Sequence, residues 1–281
     1  MMSQEVQESF RDIVQGCLRS DKNSCDALRQ IPKRWEVGPT INFYTNFMSR
    51  MALTLNFDEF EEEDLHEISR NIFNTYILLA KRIKETIDPD QRALKELQMA
   101  LGRAEKECKN AQSPFTLTLF NSLLVVFFDL RINKQFQVYM EGAPLPFTSS
   151  NSLSIDRARF HFLLGRFQLL NRMFPEARAS FWKSLTEGYL NTARVYFYLT
   201  PLEIMNGNIP AIGQLEAVGI HDYRDLVVSI RDGNLALFEK QLHENMLKFT
   251  KYGVWEVGVV QGGCPRSNCP SDPACNRQLH N

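Results

Sequence analysis

Residues 154–188, SIDRARFHFLLGRFQLLNRMFPEARASFWKSLTEG, carry the clearest helical pattern in the chain. Its first half carries apolar residues three and four positions apart, at Phe160, Leu163, Leu164, Phe167 and Leu170. This spacing lines one face of a helix, whereas a strand would alternate. Residues 171–174 break the pattern, and Pro175 then suits the first position of a second helix, which Gly188 ends. The segment therefore predicts a helical hairpin.

The small residues of this hairpin have the spacing of a tetratricopeptide unit. Leu164-Gly165 is followed by Ala177 and Phe181, and in such a unit small residues let two antiparallel helices approach while large ones fill the groove. The match is partial, because Gln168 and Tyr189 stand where an aromatic residue and a proline are usual. A generic helical hairpin is the alternative interpretation.

Composition and charge exclude several classes of protein. The 281 residues are 44% hydrophobic, enough for one helical array or two modest domains. The 32 basic and 33 acidic residues give a net charge of -1, so no field of the whole molecule attracts nucleic acid or membrane. The apolar run at residues 123–128 is too short to cross a bilayer, and the acidic, polar N-terminus is unlike a signal sequence. We expect an intracellular protein, in the nucleus or the cytoplasm, without a membrane partner.

The rest of the sequence predicts further helices. They are expected as one or two short helices within residues 3–31, one opening at Phe43, and others at 65–87, 92–109, from Ser113-Pro114 onward, at 191–205 with a kink at Pro201, at 211–218, at 223–230 and at 235–251. Residues 125–128 have high strand propensity, but about eighteen residues without a turn signal favour a helix.

An acidic run at residues 58–64 precedes the helix predicted at 65–87. We interpret it as a solvated helix start, where negative charge complements the positive end of the helix dipole. A docking site for a basic partner is the alternative.

Loop composition divides the chain into parts. Residues 141–155, EGAPLPFTSSNSLSI, form the clearest loop. We predict N-terminal helical repeats at 1–140, a linker at 141–155, a second set of helical repeats at 156–253, and a disordered tail rich in Cys, Pro and Gly at 254–281. The predicted fold class is all-α, an α-solenoid of antiparallel helical hairpins. Each hairpin buries the apolar surface that its neighbour leaves exposed.

Catalytic motifs are absent from the sequence. His66, His161, His221, His243 and His280 lie on separate predicted elements, and the chain has neither a phosphate-binding glycine loop nor a nucleophile elbow. We predict no enzymatic activity and no cofactor.

The C-terminal tail contains one candidate set of metal ligands. Cys264, Cys269, Cys275 and His280 could supply four zinc ligands, but they lack the short Cys-x-x-Cys knuckle that pre-forms such sites. We therefore predict no metal site.

An ordered series of short motifs begins in the hairpin. It runs through FLLGR at 162–166, PEA at 175–177, YLTP at 198–201, Gly207, Pro210, YRDL at 223–226, IRDGNL at 230–235, Phe238, Leu242, Phe249 and Gly253. This series resembles the PCI-domain proteins, named for the proteasome lid, the COP signalosome and translation initiation factors. The branch that it resembles most holds the subunit of the nuclear transcription-and-export complex and its signalosome-associated relative.

The resemblance implies architectural roles for the motif residues, namely Leu164, Gly165, Ala177, Phe181, Pro201, Gly207, Pro210, Gly233 and Gly253. It also implies a non-enzymatic scaffold subunit that pairs with another PCI-family or scaffold subunit and with a small acidic subunit. Nuclear mRNA export, or mRNA processing coupled to transcription, is the implied setting. The alternative is a COP signalosome or proteasome-lid type subunit in protein modification and turnover.

The sequence departs from its relatives after Gly253, where a family member would continue into a winged helix. We hypothesise that the sequence shared with the family stops near Val257 and that an unrelated sequence follows it. The resemblance implies that in the export branch the winged helix contacts nucleic acid. In this chain few basic residues remain as candidates for such contact, namely Arg231, Lys240, Lys248 and Lys251. We expect weak or no RNA or DNA contact, and exposed apolar surface on the last helices.

Overall fold

The computed structural model describes residues 61–85, 92–110, 113–130, 137 and 152–255. These residues form the helices α1 Glu62–Glu85, α2 Arg92–Asn110, α3 Thr116–Leu130, α4 Ser154–Leu170, α5 Phe174–Thr186, α6 Thr192–Met205, α7 Ile212–Ala217, α8 Arg224–Arg231, α9 Leu235–Glu244 and α10 Met246–Tyr252. No strand occurs in these ranges, so the predicted all-α helical-repeat fold is confirmed. The helices predicted before residue 61, most of the loop at 141–155 and the tail beyond 255 lie outside the described residues.

The chain divides into two compact units, Met1–Leu163 and Leu164–Asn281. Each unit is described by itself below. The domain boundaries predicted from loop composition stay predictions. In the ranges that the structure describes, no helix is long and apolar enough to span a bilayer.

In the first unit, α3 is buried on nearly all sides by α1 and α2. Its buried apolar residues occupy successive positions rather than one stripe: Leu117, Leu119, Phe120, Leu123, Leu124, Val126 and Phe127. Each fully buried Leu or Phe contributes about 1.5–3 kcal/mol, so α3 is the hydrophobic centre of this unit. The preference for a helix over a strand at 125–128 is confirmed.

The starts of two helices in this unit differ slightly from prediction. The acidic run contributes Glu62 and Glu63 to the first turn of α1, as the dipole argument expects. Ser113-Pro114, however, does not begin α3, which starts at Thr116. The Ser113 side chain accepts a hydrogen bond from the backbone N–H of Phe115 at 3.3 Å, and its carbonyl accepts one from Thr116. Ser113 therefore sits in a turn before the helix.

A buried carboxylate joins three helices of the first unit. The side chain of Asp156 in α4 is fully buried and accepts hydrogen bonds from Ser69 Oγ of α1 at 2.8 Å and Thr118 Oγ1 of α3 at 2.7 Å. Arg159 Nη1 donates a third at 2.6 Å. Burial raises the pKa of Asp156 in spite of the Arg159 charge and the two hydroxyl donors.

In the second unit, α4 and α5 form a hairpin in which a small residue of one helix contacts a large residue of the other. A Cβ atom on Gly165 would lie 2.9 Å from two ring carbons of Phe181, so only glycine fits without movement. Ala177 and Phe181 are completely buried, and the Phe181 ring stacks on Tyr198 of α6 with centroids 5.6 Å apart. Pro175 is the second residue of α5 rather than the predicted first, because the helix begins at Phe174.

Side-chain caps fix the starts of two later helices. Asn191 accepts a hydrogen bond from the backbone N–H of Arg194 before α6, and Asn234 accepts one from Leu237 before α9, both at 3.0 Å. These contacts satisfy amides that have no partner within the helix. Asp232 and Gly233 form the turn before α9, with Asn234 as the cap of this helix.

The single helix predicted at 235–251 is wrong. The structure has α9 and α10 there, separated at Asn245. The Asn245 side-chain amide donates to the carbonyl of Gln241 at 3.0 Å, as its backbone N–H does at 3.2 Å. Asparagine favours helix ends because its side chain competes for such local backbone contacts.

Aromatic side chains hold the last helices against α6. Tyr223 and Phe249 stack with ring centroids 5.1 Å apart, and Phe197 of α6 lies 5.5 Å from Tyr223 and 5.3 Å from Tyr252. The Tyr223 hydroxyl donates to the Phe197 carbonyl at 2.9 Å. This cluster fixes α8 and α10 beside α6.

Candidate protein-interaction surface

The carboxylate of Glu203 in α6 accepts hydrogen bonds from two other parts of the second unit, α5 and the loop after α6. Arg178 of α5 binds it with two contacts, Nε to Oε1 at 2.6 Å and Nη2 to Oε2 at 3.1 Å. Trp182 Nε1 of α5 donates at 2.7 Å, and Asn208 Nδ2 of the loop after α6 donates at 2.9 Å. This arrangement ties α5, α6 and the loop together.

The same contacts set the ionisation of Glu203. Partial burial opposes the charged form, but the hydrogen bonds from Arg178, Asn208 and Trp182 outweigh it and lower the pKa of Glu203. The carboxylate is therefore charged at neutral pH, and its acceptor positions are already used within the chain.

Beside Glu203 lies a groove of about 540 Å³ between α5, α6 and α7. We call it the Trp182 groove and define it by its aromatic and apolar lining, Trp182, Tyr196, Leu199, Ile209, Leu215 and Val218, together with Glu203 and Pro210. Trp182 and Tyr196 meet edge to face, with centroids 6.5 Å apart. A volume of this size suits one large side chain or a small ligand.

Two apolar side chains of this groove face solvent. Trp182 is 40% exposed and Ile209 is 38% exposed. Contiguous exposed apolar surface beside a few fixed polar groups is typical of binding sites rather than of ordinary protein surface.

The structure brings several predicted motif residues together. Gly165 and Phe181 meet in the hairpin, Ala177 and Pro201 are buried within α5 and α6, and Leu164 is partly buried. Gly207, Gly233 and Gly253 have φ angles of +83°, +63° and +74°. Pro210 lines the Trp182 groove. These positions suit architectural roles, which stay predictions.

The four basic candidates for nucleic-acid contact are not gathered into one free patch. Lys248 pairs with Asp222, and Lys240 Nζ lies 3.9 Å from Glu244 Oε1. Arg231 Nη2 donates to the Pro210 carbonyl at 3.0 Å. Lys251 Nζ lies 5.9 Å from the Tyr252 ring centroid. Two of the four charges are thus compensated by carboxylates.

Metal binding finds no support in the described part of the chain, where no cluster of three or more His, Cys, Asp or Glu side chains could hold an ion. The four tail residues considered as zinc ligands lie outside that part. His161 has intermediate exposure and lies edge-on to Phe160.

Leu199 and Pro210 of the groove belong to the motif series, but the sequence did not point to Trp182, Ile209 or the contacts of Glu203. Arg178 and Glu203 are 25 positions apart, and Trp182 and Asn208 belong to no motif. The only signal in the sequence was a tryptophan placed on the outer side of the helix that carries Ala177 and Phe181.

This geometry describes a helical-repeat protein with an open groove. No protein-family model matches the chain. Enhanced ethylene response protein 5 of Arabidopsis thaliana is 24% identical over 194 residues, which are 58% of this chain and 47% of that protein. The PCI domain-containing protein 2 homolog of Caenorhabditis elegans is 25% identical over 107 residues, and that of Caenorhabditis briggsae is 25% identical over 109.

Each nematode match covers 37% of this chain and 26% of the relative. The chain thus spans about half the length of the plant relative and about a quarter of the nematode ones. The nematode similarities support a PCI-type family for this chain, and they do not distinguish between branches of it.

Proposed function

We propose that this protein is a non-enzymatic scaffold subunit of a multi-subunit PCI complex, working in nuclear mRNA export or in mRNA processing coupled to transcription. The observation that carries the proposal is the similarity to two PCI domain-containing proteins in a chain whose described residues are all-α. The partners proposed are another PCI-family or scaffold subunit and a small acidic subunit. The proposed location is the nucleus, the cytoplasm or both.

Exposed apolar side chains on the last helices agree with a role in assembly. Leu235 of α9 is 61% exposed and Leu247 of α10 is 81% exposed. None of the residues of α9 is fully buried. A helix that retains so much apolar surface in the isolated chain is typical of a surface that a partner covers.

Purification of the tagged chain at native expression level tests the proposal. We expect stoichiometric recovery of a second PCI-domain protein, together with subunits of an mRNA-export complex. Recovery of COP signalosome or proteasome-lid subunits instead would reject the mRNA setting and keep the scaffold role. Recovery of the chain without any PCI-domain protein would contradict both.

A further inference from the structure

Two polar side chains of the Trp182 groove, Glu203 and Gln214, already accept hydrogen bonds from within the chain. Glu203 accepts four hydrogen bonds from Arg178, Trp182 and Asn208. The side-chain oxygen of Gln214 accepts one from the backbone N–H of Ala211 at 3.1 Å. The surface that the groove leaves open to an incoming group includes the exposed apolar side chains of Trp182 and Ile209.

The charge at the edge of the groove is set by Arg231. Its guanidinium is exposed and donates to the carbonyl of Pro210, a neutral acceptor that belongs to the groove lining. The carboxylates of Glu203 and Glu216 have arginine partners of their own, since Glu203 binds Arg178 and Glu216 Oε1 lies 3.4 Å from Arg224 Nε. Among the described residues no carboxylate pairs with Arg231, so its charge is available to a ligand.

We propose that the Trp182 groove binds a peptide segment of a partner protein that inserts one large apolar side chain and places a carboxylate one or two residues away against Arg231. The apolar side chain would lie against Trp182 and Ile209, whose exposed surface it would remove from water. The carboxylate would form a charge-assisted hydrogen bond with the free side of the guanidinium.

A peptide fits the charges of this surface better than a nucleic acid does. The groove carries the ionised Glu203, and Glu216 is exposed on α7 between the lining residues Leu215 and Ala217, so a phosphodiester backbone would meet like charge as well as Arg231. Lys240 and Lys248, two of the lysines considered for nucleic-acid contact, are paired with Glu244 and Asp222.

The inference rests on the proposed function only in expecting a protein partner. Its test uses the purified full chain and a random peptide library displayed on phage, with an Ile209→Arg variant for counter-selection. We expect enriched peptides to combine a large apolar residue with Asp or Glu within two positions. Synthetic copies are then titrated by fluorescence anisotropy.

Two variants probe the two parts of the site. Ile209→Arg should weaken peptide binding about tenfold or more, because it removes an exposed apolar side chain of the groove lining. Arg231→Gln should weaken binding about twofold to fivefold, the range of an exposed ion pair. The matched controls, Met99→Arg and Lys240→Gln, alter an exposed methionine and a paired lysine that do not line the groove, and they should leave affinity unchanged.

Three outcomes would overturn the proposal: no enriched peptide, enriched peptides whose binding ignores both Ile209→Arg and Arg231→Gln, or single-stranded RNA binding that Ile209→Arg abolishes. Circular dichroism of each variant must match the wild-type chain. Failure of the selection while PCI-domain partners still co-purify would reject this groove and leave the proposed function standing. Enrichment of such peptides without co-purification of a PCI-domain protein would reject only the proposed function.

Discussion

Gly165 is the residue at which the hairpin of α4 and α5 has the least room. Its missing side chain leaves the space that the Phe181 ring fills, and that ring in turn stacks on Tyr198. Leu164-Gly165 and Ala177 could be identified from their spacing alone, because two closely packed helices require small residues at the contact. The sequence could not indicate that Tyr198 of a third helix completes this contact.

Gly165→Ala should destabilise the protein. A Cβ atom 2.9 Å from a buried ring forces repacking that costs about 1–3 kcal/mol, which exceeds the gain of up to about 1 kcal/mol from replacing glycine within a helix. Gly102→Ala on α2 is the matched control, because nothing lies within 4 Å of its Cβ position, and it should stabilise slightly. Urea unfolding followed by circular dichroism measures both; equal effects would contradict the packing account.

The stability of the second unit should depend on pH through Glu203, and the lowered pKa of Glu203 sets the sign of this dependence. Its pKa is lowered in the folded chain, so its stabilisation is present above the unfolded value of 4.5 and is lost as the pH falls through the folded pKa. Glu203→Gln should cost about 1 kcal/mol at pH 7, a value reduced by partial exposure. The difference between the two proteins should shrink below pH 4.5. A difference that stays constant from pH 7 to pH 3 would show that the charge of Glu203 contributes nothing.

At the scale of elements, most helices could be predicted because periodicity, prolines and capping residues agree. The bounds of α2 differ from the prediction by a single residue, and α6 begins one residue after its predicted start, Asn191. The break between α9 and α10 was missed because Asn245 interrupts the backbone without disturbing the apolar pattern around it. A single asparagine is compatible with a continuous helix or with a helix end, and tertiary contacts determine which of the two forms.

The cap of α9 should matter more than most caps, because this helix has no fully buried residue to stabilise it. Asn234→Ala removes the hydrogen bond to the Leu237 amide and should cost about 0.5–2 kcal/mol. We expect faster hydrogen exchange confined to the first turns of α9. Asn191→Ala, which removes the same contact from α6 with its buried Val195 and Leu199, is the comparison and should cause less local opening. Equal exchange in both helices would show that burial does not set their local stability.

At the scale of the whole molecule, the sequence indicated the class of protein but not its interaction surface. Composition, helix periodicity and the motif series were sufficient for the all-α fold, because these features are local. The Trp182 groove depends on α5, α6 and α7 meeting, and on Arg178 reaching Glu203 across 25 positions. Such contacts follow from packing, which no single stretch of sequence encodes.

The purified chain should bind RNA weakly or not at all. Two of its four candidate cations are paired with carboxylates, so few counterions would be released on binding. Fluorescence anisotropy with a labelled single-stranded RNA at two salt concentrations measures this. Salt-sensitive micromolar binding would show the expectation to be wrong, and its loss on replacing Lys251 with Gln would locate the contact.

This chain is proposed to act as a scaffold subunit among PCI-domain proteins. Quantitative mass spectrometry of the natively expressed, tagged chain, purified beside an Ile209→Arg variant of equal abundance, tests this role. We expect a second PCI-domain protein in about one-to-one ratio with the wild-type chain. Purification of the wild-type chain without any stoichiometric PCI-domain partner would contradict it.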